Sequence, residues 1–466
     1  MFVRFGMAPL GYDTGFYLES IKETFSSLGY SKSAVRAYLW VPFVWLRVPN
    51  VYILHGLYIL FQFLTVGSVY ILARSFHASS RIVYGVVAVF LYAVSIPQFL
   101  AFWWMFYQME LAVALLLITI ALMHRRSVLA VMTGAFGAAI HPPTFLPFGI
   151  ALVLFLILQS VRSLFQRKKL EKETIFILGL GLAAFILVKR FGGDFIAWYL
   201  GGSVTEYGWF LTNFPEHLKQ MYTGLYINFE IFRLANIYLL PFSGIGVLLF
   251  LFGKLRSKEP TFVSRLLLAL VLLVVLFIAS YFPFIYHNRF LIILDLMLII
   301  FAVYPFSIFI LRLLKNTEGQ VMLFLLLLGF VLFNGFMVWN QKPQVYPDEL
   351  AEIRAIDVVA SPSDYAMATE SVYTPWVKAF SNRATIDPGF FPTNQWDYEM
   401  WKEFWKGESN DRRHELLQMY DRPIYIFVGK IVSNDIPYRR FIVSDPHFSQ
   451  ISPHVWRYDP NLARTQ

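Results

Sequence analysis

Cysteine is absent from the 466 residues. This excludes disulfides, thiolate metal sites and a cysteine nucleophile, while leaving the redox compartment open. Charge is also scarce: charged residues make up 15% of the chain and hydrophobic residues 57%, against about 25% charge in soluble domains. HExxH metal spacing, phosphate-cradling glycine loops and GxSxG elbows are all missing, so soluble-type hydrolase and nucleotide-binding chemistries lose their support. Internal repeats and low-complexity segments are missing too. The net charge of +9 falls mainly in short connections and forms no basic patch with stacking aromatics, which argues against nucleic acid as a partner.

What the chain does have is long apolar runs, and they make it a polytopic membrane protein. A hydrocarbon core of about 30 Å needs about 20 apolar residues per helix. Ten spans read at roughly 50–73, 82–98, 107–123, 127–141, 143–161, 174–190, 236–253, 264–283, 290–313 and 320–340. "AIHPPTFLPF" interrupts one apolar stretch at Pro142 and Pro143, where a straight helix cannot continue, giving a hairpin. Basic residues gather in connections on one side, at Arg74 and Arg81, Arg125 and Arg126, Arg162 to Lys172, Lys254 to Arg265, and Arg312 and Lys315. The opposite connections carry almost nothing basic except Arg289. The positive-inside rule makes the first set cytoplasmic. Residues 1–49, the loop 191–235 and the tail 341–466 are then exoplasmic, with the plasma membrane as the expected location. An exoplasmic start of this length normally hangs from a membrane helix or signal peptide, so a helix upstream of this chain is expected.

Three parts follow: an exoplasmic segment 1–49 with a juxtamembrane helix, a transmembrane bundle 50–340 that includes loop 191–235, and a soluble α/β domain 341–466. In the first, Tyr17, Ile21, Phe25 and Leu28 form one stripe of a helix over 14–28 that Gly29 stops, suited to lying on the membrane surface. In the third, "PDELAEIRAID", "TPWVKAF" and "DYEMWKEFWKG" read as helices, and "YAMATE" and "PIYIFVG" as strands.

Several residues could carry chemistry. Asp13 reads equally as the cap of the opening helix and as a catalytic or metal-binding acid. Glu110, in "WWMFYQMELAVALLL", sits where a helix enters the membrane; it is either a solvated residue or one acid of an interior pocket shared with Gln108. Glu206, in "GGSVTEYGWF", lies in a long exoplasmic loop, a setting commonly functional or else mobile. His287 and Arg289, in "YHNRFLI", break the charge rule at the exoplasmic mouth of the bundle. Arg289 either grips a phosphate with its fork of donors or snorkels to headgroups. His141 is a ligand or satisfies backbone groups freed at the proline break, and Asp295, inside "FLIILDLML", needs a partner or water. The aromatic runs "FWWMFY" and "WKEFW" read as interface belts or core.

Taken in order, these marks resemble the GT-C superfamily of membrane glycosyltransferases, and within it the catalytic subunit of oligosaccharyltransferase. Asp13 in "GYDTGFYLESI" matches the acid of the first exoplasmic loop. "YQMELAV" resembles the Asp-x-Glu motif, with Glu110 in the glutamate position and Gln108 replacing the aspartate. Ser203 to Glu206 has the form of the Ser-Val-Ser-Glu type motif, with four spans after it. Ser280 to Phe282 ahead of Arg289 matches "SYF" before a phosphate-contacting arginine. Trp396, Asp397 and Tyr398 are a partial counterpart of the Trp-Trp-Asp-Tyr-Gly acceptor motif, lacking its first Trp and final Gly.

The resemblance implies a GT-C-like bundle of about ten transmembrane helices with a small C-terminal exoplasmic α/β domain. It implies transfer of a sugar or oligosaccharide from a polyprenyl-phosphate or pyrophosphate donor to an exoplasmic protein, lipid or glycan. Asp13 would be general base or metal-linked acid, with Glu110 and Glu206 completing the acidic site. Arg289 with His287 would hold the donor phosphate, and Trp396, Asp397 and Tyr398 the acceptor. Mg2+ or Mn2+ on Asp13 and Glu110 is the cofactor that fits. The alternative is a polytopic transporter or lipid-handling membrane protein without transferase activity, for which buried polar groups and broken helices are also expected.

Overall fold

Among the described residues, each of the ten apolar stretches contains helix in the computed structural model. It describes residues 11, 14–24, 34–76, 81–103, 107–123, 127–165, 172–191, 239–252, 260–281, 287–340, 343, 345–370, 372–388, 395–396, 398–433 and 435–460. The chain divides into two compact units. One is Met1–Thr24, Leu46–Leu54 and Gln341–Gln466; the other is Phe25–Trp45 and His55–Asn340.

In the helical unit, α2 (Ala34–Trp45) and α3 (Asn50–Ser75) precede α4 (Arg81–Ala93), α5 (Ile96–Trp103) and α6 (Tyr107–Met123), all following α1 (Thr14–Lys22) of the other unit. Then come α7 (Val128–Ile140), α8 (Pro142–Phe165), α9 (Lys172–Phe191), α10 (Leu239–Leu251), α11 (Pro260–Tyr281), α12 (His287–Leu313) and α13 (Thr317–Asn340). Among the described residues, Asn50–Ser75, Pro142–Val161 and Arg289–Leu313 are each long and apolar enough to cross a membrane, and the bent pair Ile82–Ala93 with Ile96–Trp103 makes a fourth if taken as one span. Large apolar side chains such as Phe63, Val153, Leu182, Phe324, Val331 and Phe336 stay exposed on these helices, the surface that hydrocarbon solvates and water does not.

The core of this unit runs along α12, which packs against α10, α11 and α4. Leu296, Ile299, Ala302 and Val303 of α12 are buried with Leu272, Leu276, Leu116 and Leu117. Gly246 brings α10 onto the α12 backbone: a Cβ there would stand 2.0 Å from the carbonyl oxygen of Phe301, the close approach small residues permit between membrane helices.

The stretch 82–98, read above as one span, is two helices bent by 63°. Pro97 lies in the first turn of α5, where its missing N–H costs nothing, and Ser95 Oγ accepts from the Gln98 backbone N–H at 3.4 Å. That local start signal outweighs the apolar continuity across the break.

The other unit is a mixed sheet with helices. After α14 (Pro347–Val359) come β1 (Tyr365–Ala368), α15 (Thr374–Ser381), β2 (Ala384–Ile386), α16 (Tyr398–Lys406), α17 (Asn410–Leu417), β3 (Ile424–Phe427), α18 (Pro437–Ser444), β4 (Phe448–Ser452) and β5 (Val455–Tyr458). The order is β2-β1-β3-β5-β4. Tyr365 pairs in parallel with Ala384 and Ile424, while β5 pairs antiparallel with β3 and β4. All four residues of β3 are buried, as a central strand covered on both faces requires. The elements read from "PDELAEIRAID", "YAMATE", "TPWVKAF", "DYEMWKEFWKG" and "PIYIFVG" are all present.

The opening helix corrects one expectation. It does not spread its stripe on lipid: α1 packs against α15 of the sheet unit and buries Tyr17, Leu18 and Ile21. Gly15 permits this, since a Cβ would meet the Pro375 carbonyl oxygen at 1.9 Å. Lys378 pairs with Glu19 at 3.3 Å, and Lys22 Nζ donates to the Ala379 carbonyl and to Asn382 Oδ1. Asn382 ends α15 in the left-handed conformation, φ 50°, a cap asparagine tolerates. Phe25 and Leu28 lie outside the described residues.

Candidate functional site

The helix break at His141 sets the geometry of the helical unit's charged mouth. His141 closes α7, its backbone N–H donating to Gly137 O, and the chain restarts at Pro142. Its imidazole faces α12: Arg289 Nη1 donates to Nε2 at 3.2 Å, and Nδ1 stands 2.7 Å from Thr144 Oγ1. A guanidinium only donates, so Nε2 carries the lone pair and the proton sits on Nδ1, shared with Thr144. The neutral ring thus orients a half-buried arginine without cancelling its charge.

Beside this break, α7, α8 and α9 form an open groove of about 820 Å³ lined by apolar residues, among them Gly134, Ala138, Phe145, Leu152 and Phe185. Its lining extends to Pro142, the residue after His141. The apolar slot thus reaches the helix break one residue after His141, the residue that accepts from Arg289.

Glu110 is buried in the first turn of α6. Thr65 Oγ1 donates to its Oε2 at 3.2 Å, and Gln62, whose Oε1 accepts from Tyr92 Oη at 3.0 Å, stands beside the carboxyl. The carboxyl is buried rather than solvated, with Thr65 and Gln62 beside it. Gln108 is half-buried. Asp295 is fully buried on α12, where Oδ2 accepts from Ser95 Oγ at 2.5 Å and Gln98 Nε2 at 2.9 Å. These donors cluster at the amino end of α5, whose dipole favours an anion.

In the sheet unit, Trp396 is 4% exposed. Its Nε1–H donates to Leu416 O at 3.1 Å and its ring packs on Trp401, Phe404 and Tyr420. It is a core residue, and no open ring face is available there to an acceptor. Tyr398 begins α16. Asp13, Glu206 and Asp397 lie outside the described residues, as does the side chain of His287.

Sequence reading missed Asp387. It follows β2 at the carboxyl end of the parallel strands, where open α/β sheets place their ligands. It is fully buried, and burial pushes its carboxyl up to about 7, against the pull of Lys378 and with a further push from Glu19. Glu19 is itself raised by burial, which outweighs its pairing with Lys378. Asp387 thus belongs to the neighbourhood of α1, the helix that follows Asp13. Its sequence setting, "IDPG", carries turn residues and no motif that marks a buried acid.

For a divalent ion, Glu110 brings one carboxylate surrounded by neutral partners. Among the described residues no group of three His, Cys, Asp or Glu side chains gathers around it, and Asp13, the other expected ligand, lies outside them.

No protein-family model matches the sequence, and no curated protein matches it. Among solved structures, the chain is similar in fold to the Archaeoglobus fulgidus oligosaccharyltransferase, crystallised with zinc and sulfate. The TM-score is 0.57 at 13% identity, over 90% of this chain and 64% of that one. This chain therefore spans under two thirds of the archaeal protein's length.

Proposed function

We propose that this chain is a membrane glycosyltransferase that moves a sugar or oligosaccharide from a polyprenyl-phosphate donor to a protein, lipid or glycan on the exoplasmic face. The observation that carries the reading is the apolar groove that reaches the helix break at His141, the partner of Arg289. An isoprenoid tail needs a long apolar slot, and its phosphate needs a fixed cation at the end of that slot. A free sugar or soluble ion needs no such slot. The oligosaccharyltransferase-like fold supports the same class.

In this mechanism the tail lies among α7, α8 and α9. Arg289, held by His141, takes up charge on the departing phosphate, and His287 adds a donor. Asp13 accepts the acceptor's proton, with Glu110 and Glu206 shaping the acidic side of the site. Attack opposite the leaving phosphate inverts the anomeric carbon. The acceptor is contacted by Asp397 and Tyr398, which Trp396 supports from the core of the sheet unit.

The test is transfer from a polyprenyl-phosphate-linked sugar in proteoliposomes. Asp13→Asn should lower the rate at least about 100-fold, the scale of general base catalysis, with donor binding retained. A fully active Asp13→Asn protein would remove it from the mechanism.

A further inference from the structure

We propose that His414, Asp445 and His447 form a zinc-binding site in the sheet unit, separate from the transfer chemistry and independent of the reading above. Three elements bring the ligands together. His414 lies in the last turn of α17, Asp445 caps the carboxyl end of α18, and His447 sits in the turn leading into β4. His414 Nε2 stands 2.9 Å from Asp445 Oδ2, and His447 Nδ1 stands 2.8 Å from Asp445 Oδ1. One carboxylate therefore presents an oxygen to each imidazole, and the two rings lie 4.7 Å apart between centroids. Among the described residues this is the only group of three such side chains whose ligand atoms all fall within 4.8 Å of one another.

The surroundings are those of a ligand set. Tyr458 Oη stands 3.2 Å from His414 Nδ1, so it can take that N–H when Nε2 binds a metal. This outer partner fixes tautomer and ring orientation. The His447 backbone N–H donates to Asp445 Oδ1 at 2.9 Å, which anchors the carboxylate. Phe441 and Phe448 pack on the His414 ring and wall one side. The side chains keep 16%, 14% and 26% exposure for His414, Asp445 and His447, so an ion has a way in. Two imidazoles and a carboxylate suit zinc, with water as the fourth ligand of a tetrahedron. Separations of 2.8–2.9 Å need to open by about half an ångström to match tetrahedral ligand atoms about 2.0–2.1 Å from one ion. Such an ion would tie α17 and α18 to β4, the edge strand of the sheet.

The test uses the full chain in detergent, stripped with chelator and titrated with zinc chloride, reading bound metal and melting temperature. Wild type should bind one equivalent that Asp445→Asn and His447→Ala each lose, with Tyr458→Phe weakening it about 10-fold or more. That equivalent should persist in Asp13→Asn and Glu110→Gln, which keeps it distinct from any metal at the transfer site. His447→Ala is the variant least apt to disturb the fold, and its metal-free melting should match wild type. If it misfolds, cobalt titration of the wild-type chain decides, with a visible absorption band of a tetrahedral nitrogen–oxygen site expected. Zinc stoichiometry and melting unchanged by His447→Ala, or no such cobalt band, would overturn the proposal.

Discussion

Arg289 and Glu110 were visible in the sequence because charge in an apolar run is costly and draws the eye. Their partners were not. His141 meets Arg289 across 148 residues, a distance no local pattern bridges, and its role as an acceptor for a guanidinium follows only from the geometry. If the pair positions a phosphate, His141→Ala should raise KM for the polyprenyl-phosphate donor at least about 10-fold while leaving kcat within a few-fold, measured in proteoliposomes. Equal losses in both would assign His141 a different part. Asp387 carries a second residue-scale expectation. Its carboxyl titrates near 3.9 in an unfolded chain and at about 7 when folded. Between those values the native state holds a proton that the unfolded state has lost, so stability falls as pH rises through that window. Protection factors of the β1 and β2 amides in the full chain, corrected for the base-catalysed intrinsic rate, should be lower at about pH 7.5 than at about pH 5, and Asp387→Asn should remove that difference. An unchanged pH dependence in Asp387→Asn would contradict it.

At the scale of elements, helices and strands were legible where periodicity and punctuation agreed, as in "PDELAEIRAID" and "PIYIFVG". Two features were not. A span over 82–98 looked continuous because Ser95 and Pro97 interrupt it without breaking its apolar character, yet together they start a new helix. The stripe on the opening helix was real, but an apolar stripe specifies burial and not whether lipid or protein covers it. Gly15 held the answer, since only a residue without a side chain lets α1 seat on Pro375. Gly15→Leu should cost about 1–3 kcal/mol of that docking by overpacking. Amide exchange over 14–24 should then speed up while the β3 amides stay protected, measured by mass spectrometry. Unchanged exchange over 14–24 would mean that α1 is not held by this contact.

At the scale of the whole molecule, composition alone showed a membrane protein, and the order of short motifs pointed toward a fold that the archaeal oligosaccharyltransferase shares. The assembly of the apolar slot was not legible, because it is built from α7, α8 and α9, whose residues are ordinary core types until packed. The proposal turns on this slot holding the donor's tail while Arg289 holds its phosphate. The most direct measurement is photocrosslinking with a polyprenyl phosphate bearing a reactive group in its tail, followed by peptide mapping in wild type and Arg289→Ala. Labels should fall on residues of α7–α9 in wild type, be displaced by unlabelled polyprenyl phosphate, and drop at least about 10-fold in Arg289→Ala. Labels confined to other helices, or labelling of α7–α9 that Arg289→Ala leaves intact, would contradict the claim.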